Sequence, residues 1–201
     1  SDAYLNYFIF LENALEFLHY SYLCSKDPDK LADCDKFILP GVGAFGQGIH
    51  NLQNLGLIDL LNHKILEEKK PILGICLGMQ LFAENSTEFG FNDGLGWIPS
   101  PVSKIDTATS KKLKLPHVGW NELHHDGECL LFRGIPQGTT FYFVHSYAYE
   151  FEANPFVVGY CDYSTKCVSV IRKENIFGVQ FHPEKSQKFG LQLIKNFVDL
   201  C

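Results

Sequence analysis

The chain has 201 residues, of which 46% are hydrophobic and 20% charged, and its formal net charge is −6. This size and balance predict one folded domain, residues 1–201, and exclude an intrinsically disordered chain. No segment concentrates Lys or Arg, so nucleic acid and anionic membranes are not expected as partners. No stretch reaches the roughly 18 apolar residues of a transmembrane helix, and the apolar start "YLNYFIF" lacks the basic region of a signal peptide. We therefore expect a cytoplasmic protein.

The cysteines are odd in number and scattered, at positions 24, 34, 76, 129, 161, 167 and 201. They form no C-x-x-C pair, so neither a zinc ribbon nor a disulfide framework is indicated. Six of them are interpreted as buried structural thiols in a reducing compartment. We expect no metal and no cofactor.

The first half of the chain alternates helical and strand patterns. Residues 6–20 carry apolar side chains at helical spacing, and "DKFILP" is a short strand ended by Pro40. Residues 45–70 are typical of helical pieces broken near Gly56. "PILGICLG" is a second strand, followed by a helix in "MQLFAEN". Because this second strand is apolar on both faces, it belongs in the centre of a parallel sheet covered by helices.

From residue 95 onward, short β-rich runs and turns dominate the sequence. These runs are "CLLFRG", "TFYFVHSYAYEF", "FVVGYCDY" and "CVSVIRK". They predict antiparallel strands at the sheet edge or a small second sheet. "NIFGVQFHPE" adds another strand, and "SQKFGLQLIKNFVDL" a final helix with Ser186 as its cap. The predicted fold is α/β, with a mostly parallel central sheet flanked by helices and antiparallel strands in the C-terminal half.

The stretch "ILPGVGAFGQG" contains a G-x-G-x-x-G pattern at Gly41, Gly43 and Gly46. A dinucleotide site needs these glycines in the first βαβ unit and an acidic residue at the end of the next strand. The next strand ends instead in Cys76. The glycines therefore indicate a mobile backbone beside this cysteine.

Cys76 lies between Gly74 and Gly78 where a buried strand meets a helix, as in the nucleophile elbow G-x-S-x-G. The glycines remove side chains that would clash in the tight turn. The helix start favours the thiolate, and the Leu77 amide is free to donate to an oxyanion. The alternative is a buried structural cysteine. The strand–elbow–helix context favours the nucleophile.

"QFHPE" supplies a base and a group to orient it. His182 and Glu184 are two residues apart at a strand exit, with Pro183 between them. Glu184 is placed to accept from one ring nitrogen while the other nitrogen faces the thiol. This pattern predicts a Cys76–His182–Glu184 triad.

The other histidines carry weaker signals. His145 lies in an apolar strand, where core packing and substrate contact are both open. His117 serves either structure or a partner surface. His124 and His125 precede Asp126 in a predicted polar, exposed turn, and a metal pair there lacks further ligands.

Three motifs together resemble the class I (triad) glutamine amidotransferases: "PGVG" from Pro40, "GICLGMQ" from Gly74, and "HPE" from His182. The longer strings "LPGVGAFGQG", "GICLGMQLF", "PHVGWNEL", "YFVHSY" and "GVQFHPEKSQ" are similar to the glutaminase subunits of imidazole glycerol phosphate synthase, over roughly residues 31–200. Relatives usually open with a strand and a Gly-Asn loop, which the start of this chain does not show.

The resemblance implies a single-domain, flavodoxin-like fold and a glutaminase mechanism. Cys76 would attack the carboxamide of glutamine, with His182 and Glu184 completing the triad. The oxyanion would be held by backbone amides at Leu77 and at Val42 or Gly43. The positions that match glutamine-binding residues in the family are Gly41, Gln80, Ser146 and Tyr147.

The resemblance also implies a heterodimer with a (β/α)8-barrel cyclase that receives the ammonia. Trp120, Asn121 and Lys185 are the predicted partner-facing residues, with ordinary packing as the alternative for Trp120. A close alternative function is a paralogous glutaminase that supplies a different synthase, such as one amidating a surface sugar. An inactive regulatory subunit and a cysteine peptidase are two further hypotheses for the function.

Overall fold

A computed structural model describes residues 2–108, 113–152 and 154–201. The α-helices in these ranges are α1 Asp2–Phe17, α2 Pro28–Leu31, α3 Phe45–Asn54, α4 Leu57–Leu61, α5 Leu77–Gln80 and α6 Gln187–Leu200. A π-helix spans Asn62–Glu67, and 3₁₀-helices span Leu130–Phe132 and Pro183–Lys185. The strands are β1 Phe37–Gly41, β2 Ile72–Cys76, β3 Asn85–Ser86, β4 Asn92–Asp93, β5 Val102–Lys104, β6 His117–Glu122, β7 His124–His125, β8 Thr140–His145, β9 Tyr147–Tyr149, β10 Val157–Tyr163, β11 Thr165–Lys173 and β12 Ile176–Val179.

The largest sheet has the strand order β1-β2-β12-β11-β10-β7. Strands β1, β2 and β12 are parallel, and the remaining pairs in this sheet are antiparallel. All five residues of β2 are buried, as its continuous apolar sequence predicts. The prediction of a parallel core extended by antiparallel strands is confirmed.

The two faces of this sheet are covered by different helices. The side chains of β2 contribute to two apolar clusters: Ile72 belongs to one, and Leu73 and Ile75, on the opposite face, belong to the other. The Ile72 cluster includes residues of α3, α4 and the π-helix, whereas the Leu73 cluster includes residues of α1 and α6. This arrangement leaves the carboxyl ends of β1, β2 and β12 together at one edge.

Two smaller sheets are formed by strands that lie between β2 and β10 in the chain. One has the order β4-β3-β5-β9, and the other is the antiparallel pair β6-β8. Ser146 separates β8 from β9, so one continuous apolar run contributes to two sheets. The sequence left open an extended sheet edge or a second sheet, and the structure has both.

Several local predictions were wrong. "CLLFRG" contains a 3₁₀-helix at Leu130–Phe132 instead of a strand. The helix predicted in "MQLFAEN" ends at Gln80, because the chain then turns into β3. β1 continues through Pro40 to Gly41, since Pro40 pairs with Ile75 at the edge of the sheet, where proline is tolerated.

The thiol prediction holds only in part. Cys76, Cys129, Cys161 and Cys167 are buried, Cys34 and Cys201 are partly exposed, and Cys24 is exposed. All seven are free thiols. In the ranges that the structure covers, no helix combines the length and apolar character needed to cross a membrane.

Candidate active site

Cys76 is the last residue of β2 and directly precedes α5. Its backbone has φ 54° and ψ −111°, a strained conformation for a residue with a side chain. A Cβ on Gly78 would lie 1.7 Å from the Leu39 carbonyl oxygen, and one on Gly74 would lie 2.6 Å from the Met79 nitrogen. The flanking glycines are therefore required by backbone contacts, and the elbow interpretation of "GICLG" agrees with the observed geometry.

His182 and Glu184 lie just beyond the end of β12, the neighbour of β2. His182 Nδ1 is 2.7 Å from Glu184 Oε1, and the side chains are only 1% and 3% exposed. The His182 amide donates to the Tyr142 carbonyl at 2.9 Å. Ser186 Oγ donates to the His182 carbonyl at 2.6 Å and accepts from the Tyr142 amide at 3.0 Å. β8 and Ser186 thus hold the His182 backbone in place.

The hydroxyl of Ser186 therefore does not cap α6, although Ser186 occupies the N-cap position. The residue was correctly placed, but its predicted side-chain cap was wrong. The hydroxyl is used to join β8 to the His182 turn. Sequence alone does not distinguish a helix cap from this contact, because Tyr142 is 44 residues away from Ser186 in the chain.

The protonation of His182 depends on Cys76. Burial disfavours the imidazolium, but the charge and hydrogen bonding of the Cys76 sulfur, followed by those of Glu184, raise the pKa of His182 to about 10. This effect requires the thiol and the imidazole to be close in space. The structure thus joins Cys76, His182 and Glu184 in one electrostatic unit suited to nucleophilic chemistry.

The predicted oxyanion residues flank Cys76. Gly41 is the register partner of Cys76 in the β1–β2 ladder, and a Cβ on it would lie 3.1 Å from the Gly78 nitrogen. Val42 is half-buried, and Gly43 is exposed with φ 103°, a conformation that favours glycine. The Leu77 amide is the first of α5, where helix amides have no intrahelical acceptor. Amides on both sides of Cys76 are thus candidates for holding an oxyanion.

Gln80 and Tyr147, two of the predicted glutamine contacts, are joined directly. Gln80 Nε2 donates to the Tyr147 carbonyl at 2.9 Å and to Gln180 Oε1 at 3.0 Å. Gln180 Nε2 lies 3.8 Å from Cys76 Sγ. Ser146 is half-buried at the bend between β8 and β9, and its carbonyl accepts from the Ile105 amide at 3.0 Å.

Gln180 was missed by the sequence analysis. It is fully buried and lies two residues before His182, within the "QFHPE" string itself. A glutamine in an otherwise apolar strand exit is an available signal, because a buried amide needs hydrogen-bond partners. Its partner Gln80 is 100 residues away, so the partner was not predictable from spacing.

The other histidines have distinct environments. His117 and His145 are both buried and hydrogen-bonded to each other, so His117 is not a surface residue. His124 and His125 form β7 instead of a turn, and His125 stacks on Phe132. Neither is fully exposed. Within the described residues, no group of three or more His, Cys, Asp or Glu side chains is arranged to hold a metal ion.

The three predicted partner-facing residues differ in orientation. Trp120 is 47% exposed, and its ring meets Tyr142 edge-on with centroids 6.1 Å apart. Asn121, the next residue in β6, faces the opposite side and contacts His117 and Asp162. Lys185 Nζ lies 5.4 Å from the centre of the Phe10 ring. Of the three, Trp120 therefore places an exposed aromatic ring on the surface.

Comparison with known proteins places the chain in a family. Residues 10–200 match the model of "Glutamine amidotransferase class-I". Imidazole glycerol phosphate synthase subunit HisH 1 of Campylobacter jejuni is 46% identical over 176 residues, which are 88% of this chain and 86% of that protein. Subunit HisH 2 of Methanococcus maripaludis is 42% identical over 188 residues, covering 94% and 92% of the two chains.

Solved structures support the same fold. A glutamine amidotransferase crystal structure superposes with a TM-score of 0.72 at 17% identity, covering 96% of this chain and 93% of that one. The glutaminase domain of the Trypanosoma brucei enzyme CTPS gives a TM-score of 0.67 at 16% identity, covering 98% and 89%. With its family match and its relatives, the chain belongs to the class-I glutamine amidotransferases.

Proposed function

We propose that this chain is the glutaminase subunit of an imidazole glycerol phosphate synthase, and that it hydrolyses glutamine to glutamate and ammonia. The observation that carries the proposal is the buried His182–Glu184 pair coupled to a cysteine in a strained elbow. The names of relatives that are 42–46% identical over most of the chain support the synthase. Such a subunit acts in histidine biosynthesis.

In the first half-reaction, the Cys76 thiolate attacks the side-chain carboxamide carbon of glutamine and forms a C–S bond. The resulting oxyanion accepts hydrogen bonds from the Leu77 amide and from Val42 or Gly43. His182 donates a proton to the departing nitrogen as the C–N bond breaks. Ammonia leaves, and a glutamyl thioester remains on Cys76.

In the second half-reaction, His182 accepts a proton from water, which attacks the thioester carbonyl. The C–S bond breaks, and glutamate is released with the thiolate restored. Glu184 fixes the orientation of the His182 ring through its contact with Nδ1. Gly41, Gln80, Ser146 and Tyr147 are assigned to glutamine binding.

Ammonia is mostly protonated at neutral pH and is then not nucleophilic, so it must pass directly to a second enzyme. The proposed partner is a (β/α)8-barrel cyclase, which uses it to form imidazole glycerol phosphate and aminoimidazole carboxamide ribotide. Trp120 and Lys185 are assigned to the partner surface, with Asn121 behind it. The exposed Trp120 ring supports this assignment, because exposed aromatic residues are enriched at interfaces. The seven free thiols favour a cytoplasmic location.

The test is a glutaminase assay with and without a barrel cyclase and its ribotide ligand. We expect the chain alone to hydrolyse glutamine slowly and the cyclase to stimulate this hydrolysis strongly. Cys76→Ala should not hydrolyse glutamine, with or without the cyclase. Hydrolysis that persists in Cys76→Ala would refute the nucleophile. Stimulation only by a sugar-modifying synthase would identify the paralogous function, and no hydrolysis with any partner would identify a regulatory subunit.

A further inference from the structure

Two of the histidines that the proposed mechanism does not use, His117 and His145, lie beside the candidate site. We propose that they form a neutral hydrogen-bond relay of fixed direction that positions the Gln80–Gln180 pair against the Cys76 sulfur. They would then be positioning residues for glutamine hydrolysis. This inference rests on the proposed function for its catalytic consequence, but not for its geometry.

Backbone groups fix the outer end of the relay. The Glu122 amide donates to Asn121 Oδ1 at 2.8 Å, and Asn121 Nδ2 donates to the Asp162 carbonyl at 3.0 Å. The orientation of the Asn121 amide is therefore determined. Its Nδ2 also lies 3.3 Å from His117 Nε2, which must accept. A neutral His117 that accepts at Nε2 carries its proton on Nδ1.

A backbone group also fixes the inner end. His145 Nδ1 lies 2.8 Å from the Tyr147 carbonyl, which only accepts, so Nδ1 carries the proton. In a neutral ring, Nε2 is then an acceptor. His117 Nδ1 lies 3.1 Å from His145 Nε2. The contact with Asn121 already requires a proton on His117 Nδ1, so this nitrogen donates to His145 Nε2. The two ends thus require the same tautomer in both rings.

The surroundings keep both rings uncharged. The His117 ring is stacked on Phe143 and on Tyr163, with centroids 4.9 and 3.9 Å away. Burial lowers the pKa of His117 to about 4. The pKa of His145 is lowered to about 3, mainly by burial and in smaller part by nearby His117 and His182, against the opposing effect of the Tyr147 carbonyl. A neutral His145 avoids repulsion with a protonated His182.

The relay reaches the nucleophile through side-chain amides. The Tyr147 carbonyl accepts from both His145 and Gln80. Because Gln80 donates to Gln180 Oε1, the Gln180 amide must point its Nε2 hydrogens the other way, and Nε2 is the atom 3.8 Å from Cys76 Sγ. A donor aimed at the sulfur stabilises the thiolate more than the thiol. Loosening the relay should therefore reduce the reactivity of Cys76.

The first experiment measures the tautomers directly, in the full chain labelled with ¹⁵N-histidine. Long-range ¹H–¹⁵N spectra distinguish the two neutral forms and the imidazolium. We expect His117 and His145 to be neutral and protonated on Nδ1 from pH 6 to 8, assigned with His117→Asn and His145→Gln. An Nε2-protonated form or an imidazolium at either residue overturns the relay, whether or not the protein hydrolyses glutamine.

The second experiment compares His117→Asn, which keeps a donor near the position of Nδ1, with His117→Leu, which removes it. One readout is the rate of Cys76 alkylation by iodoacetamide at pH 7, followed by mass spectrometry of the Cys76 peptide. The other is kcat/KM for glutamine with the cyclase present. We expect His117→Leu to lower both by about 10-fold or more and His117→Asn to retain most of each.

Equal rates in wild type and in a folded His117→Leu variant would overturn the positioning role. If His117→Leu does not fold, His145→Gln takes its place in the comparison with His117→Asn, because glutamine has no donor at the position of Nδ1 and loses the contact with the Tyr147 carbonyl. Wild-type rates in His145→Gln would then overturn the positioning role. Absence of hydrolysis in the wild type refutes the proposed function alone. The tautomers and the alkylation rates still test the relay.

Discussion

His182 Nδ1 and Glu184 Oε1 are 2.7 Å apart, and their side chains are 1% and 3% exposed. A buried carboxylate is costly unless it is paired, so this contact is required by the fold as well as suited to orienting the ring. The pair lies at the end of β12, next to the elbow on β2. Because these two strands are neighbours, Cys76 and His182 lie in one site although they are 106 positions apart in the chain.

The charge of Glu184 is expected to matter more than its shape. Glu184→Gln keeps an oxygen that accepts from Nδ1 but removes the negative charge beside an imidazolium. We expect kcat for glutamine, measured with the cyclase, to fall by about 10²-fold to 10⁴-fold. Glu128→Gln, at an exposed position, is the matched control and should leave kcat unchanged. Near wild-type turnover in Glu184→Gln would remove Glu184 from the triad.

The stability of the protein should decrease at alkaline pH because of His182. Its pKa is raised from 6.5 to about 10, so the folded state holds the proton more tightly than the unfolded state. The resulting stabilisation is complete below about pH 6.5 and is lost as the pH rises to about 10. We expect the free energy of unfolding, measured with urea, to decrease across this range.

Cys76→Ala should weaken that pH dependence, because the Cys76 sulfur contributes most to raising the His182 pKa. The His182 pKa itself can be followed by NMR in both proteins. An unchanged His182 pKa in Cys76→Ala would contradict the coupling between these two side chains.

Glycine at position 78 should be far more important for stability than glycine at position 48. A Cβ on Gly78 would meet the Leu39 backbone oxygen at 1.7 Å, so β1 must move away from α5. We expect Gly78→Ala to lower the free energy of unfolding by about 3 kcal/mol. A Cβ on Gly48 meets only side-chain ends of Leu81 and Leu77, the nearest at 2.9 Å.

Gly48→Ala is therefore the control, and its stability should stay within about 1 kcal/mol of the wild type, helped by the helix propensity of alanine. Urea denaturation of both variants gives the comparison. Equal losses would show that close backbone contact does not explain the glycine at the elbow.

Lys36 should stabilise the last turn of α6. Its Nζ donates to the Val198 carbonyl at 2.6 Å, to the Phe197 carbonyl at 3.4 Å and to the Cys201 carbonyl. We expect Lys36→Met to lower the free energy of unfolding by about 1 kcal/mol, because the cation interacts with unpaired carbonyls at the negative end of the helix. Lys26→Met, at an exposed position, should have little effect. Equal thermal denaturation midpoints for the two variants would exclude the capping role.

Local sequence patterns were sufficient to predict β2 and the turn that follows it. The continuous apolar run of β2 predicted a buried parallel strand, and glycines around Cys76 predicted a turn too tight for side chains. Both signals arise from contacts among near neighbours in the chain, where residue type and spacing determine the outcome. The same reasoning failed at "CLLFRG", because a short apolar run is compatible with either a strand or a buried turn of helix.

The candidate reactive groups were proposed from local sequence: a cysteine in a glycine elbow, and a histidine and glutamate two residues apart. Their surroundings depend on the tertiary structure. It placed Gln180 at the Cys76 sulfur, used Ser186 to hold β8, and buried His117 against His145. Each of these contacts joins segments far apart in the chain, and hydrogen bonding of buried polar groups, which spacing does not encode, selects the partner. The sequence therefore specified the chemistry of the site, and the packing of distant strands specified how its groups are oriented and charged.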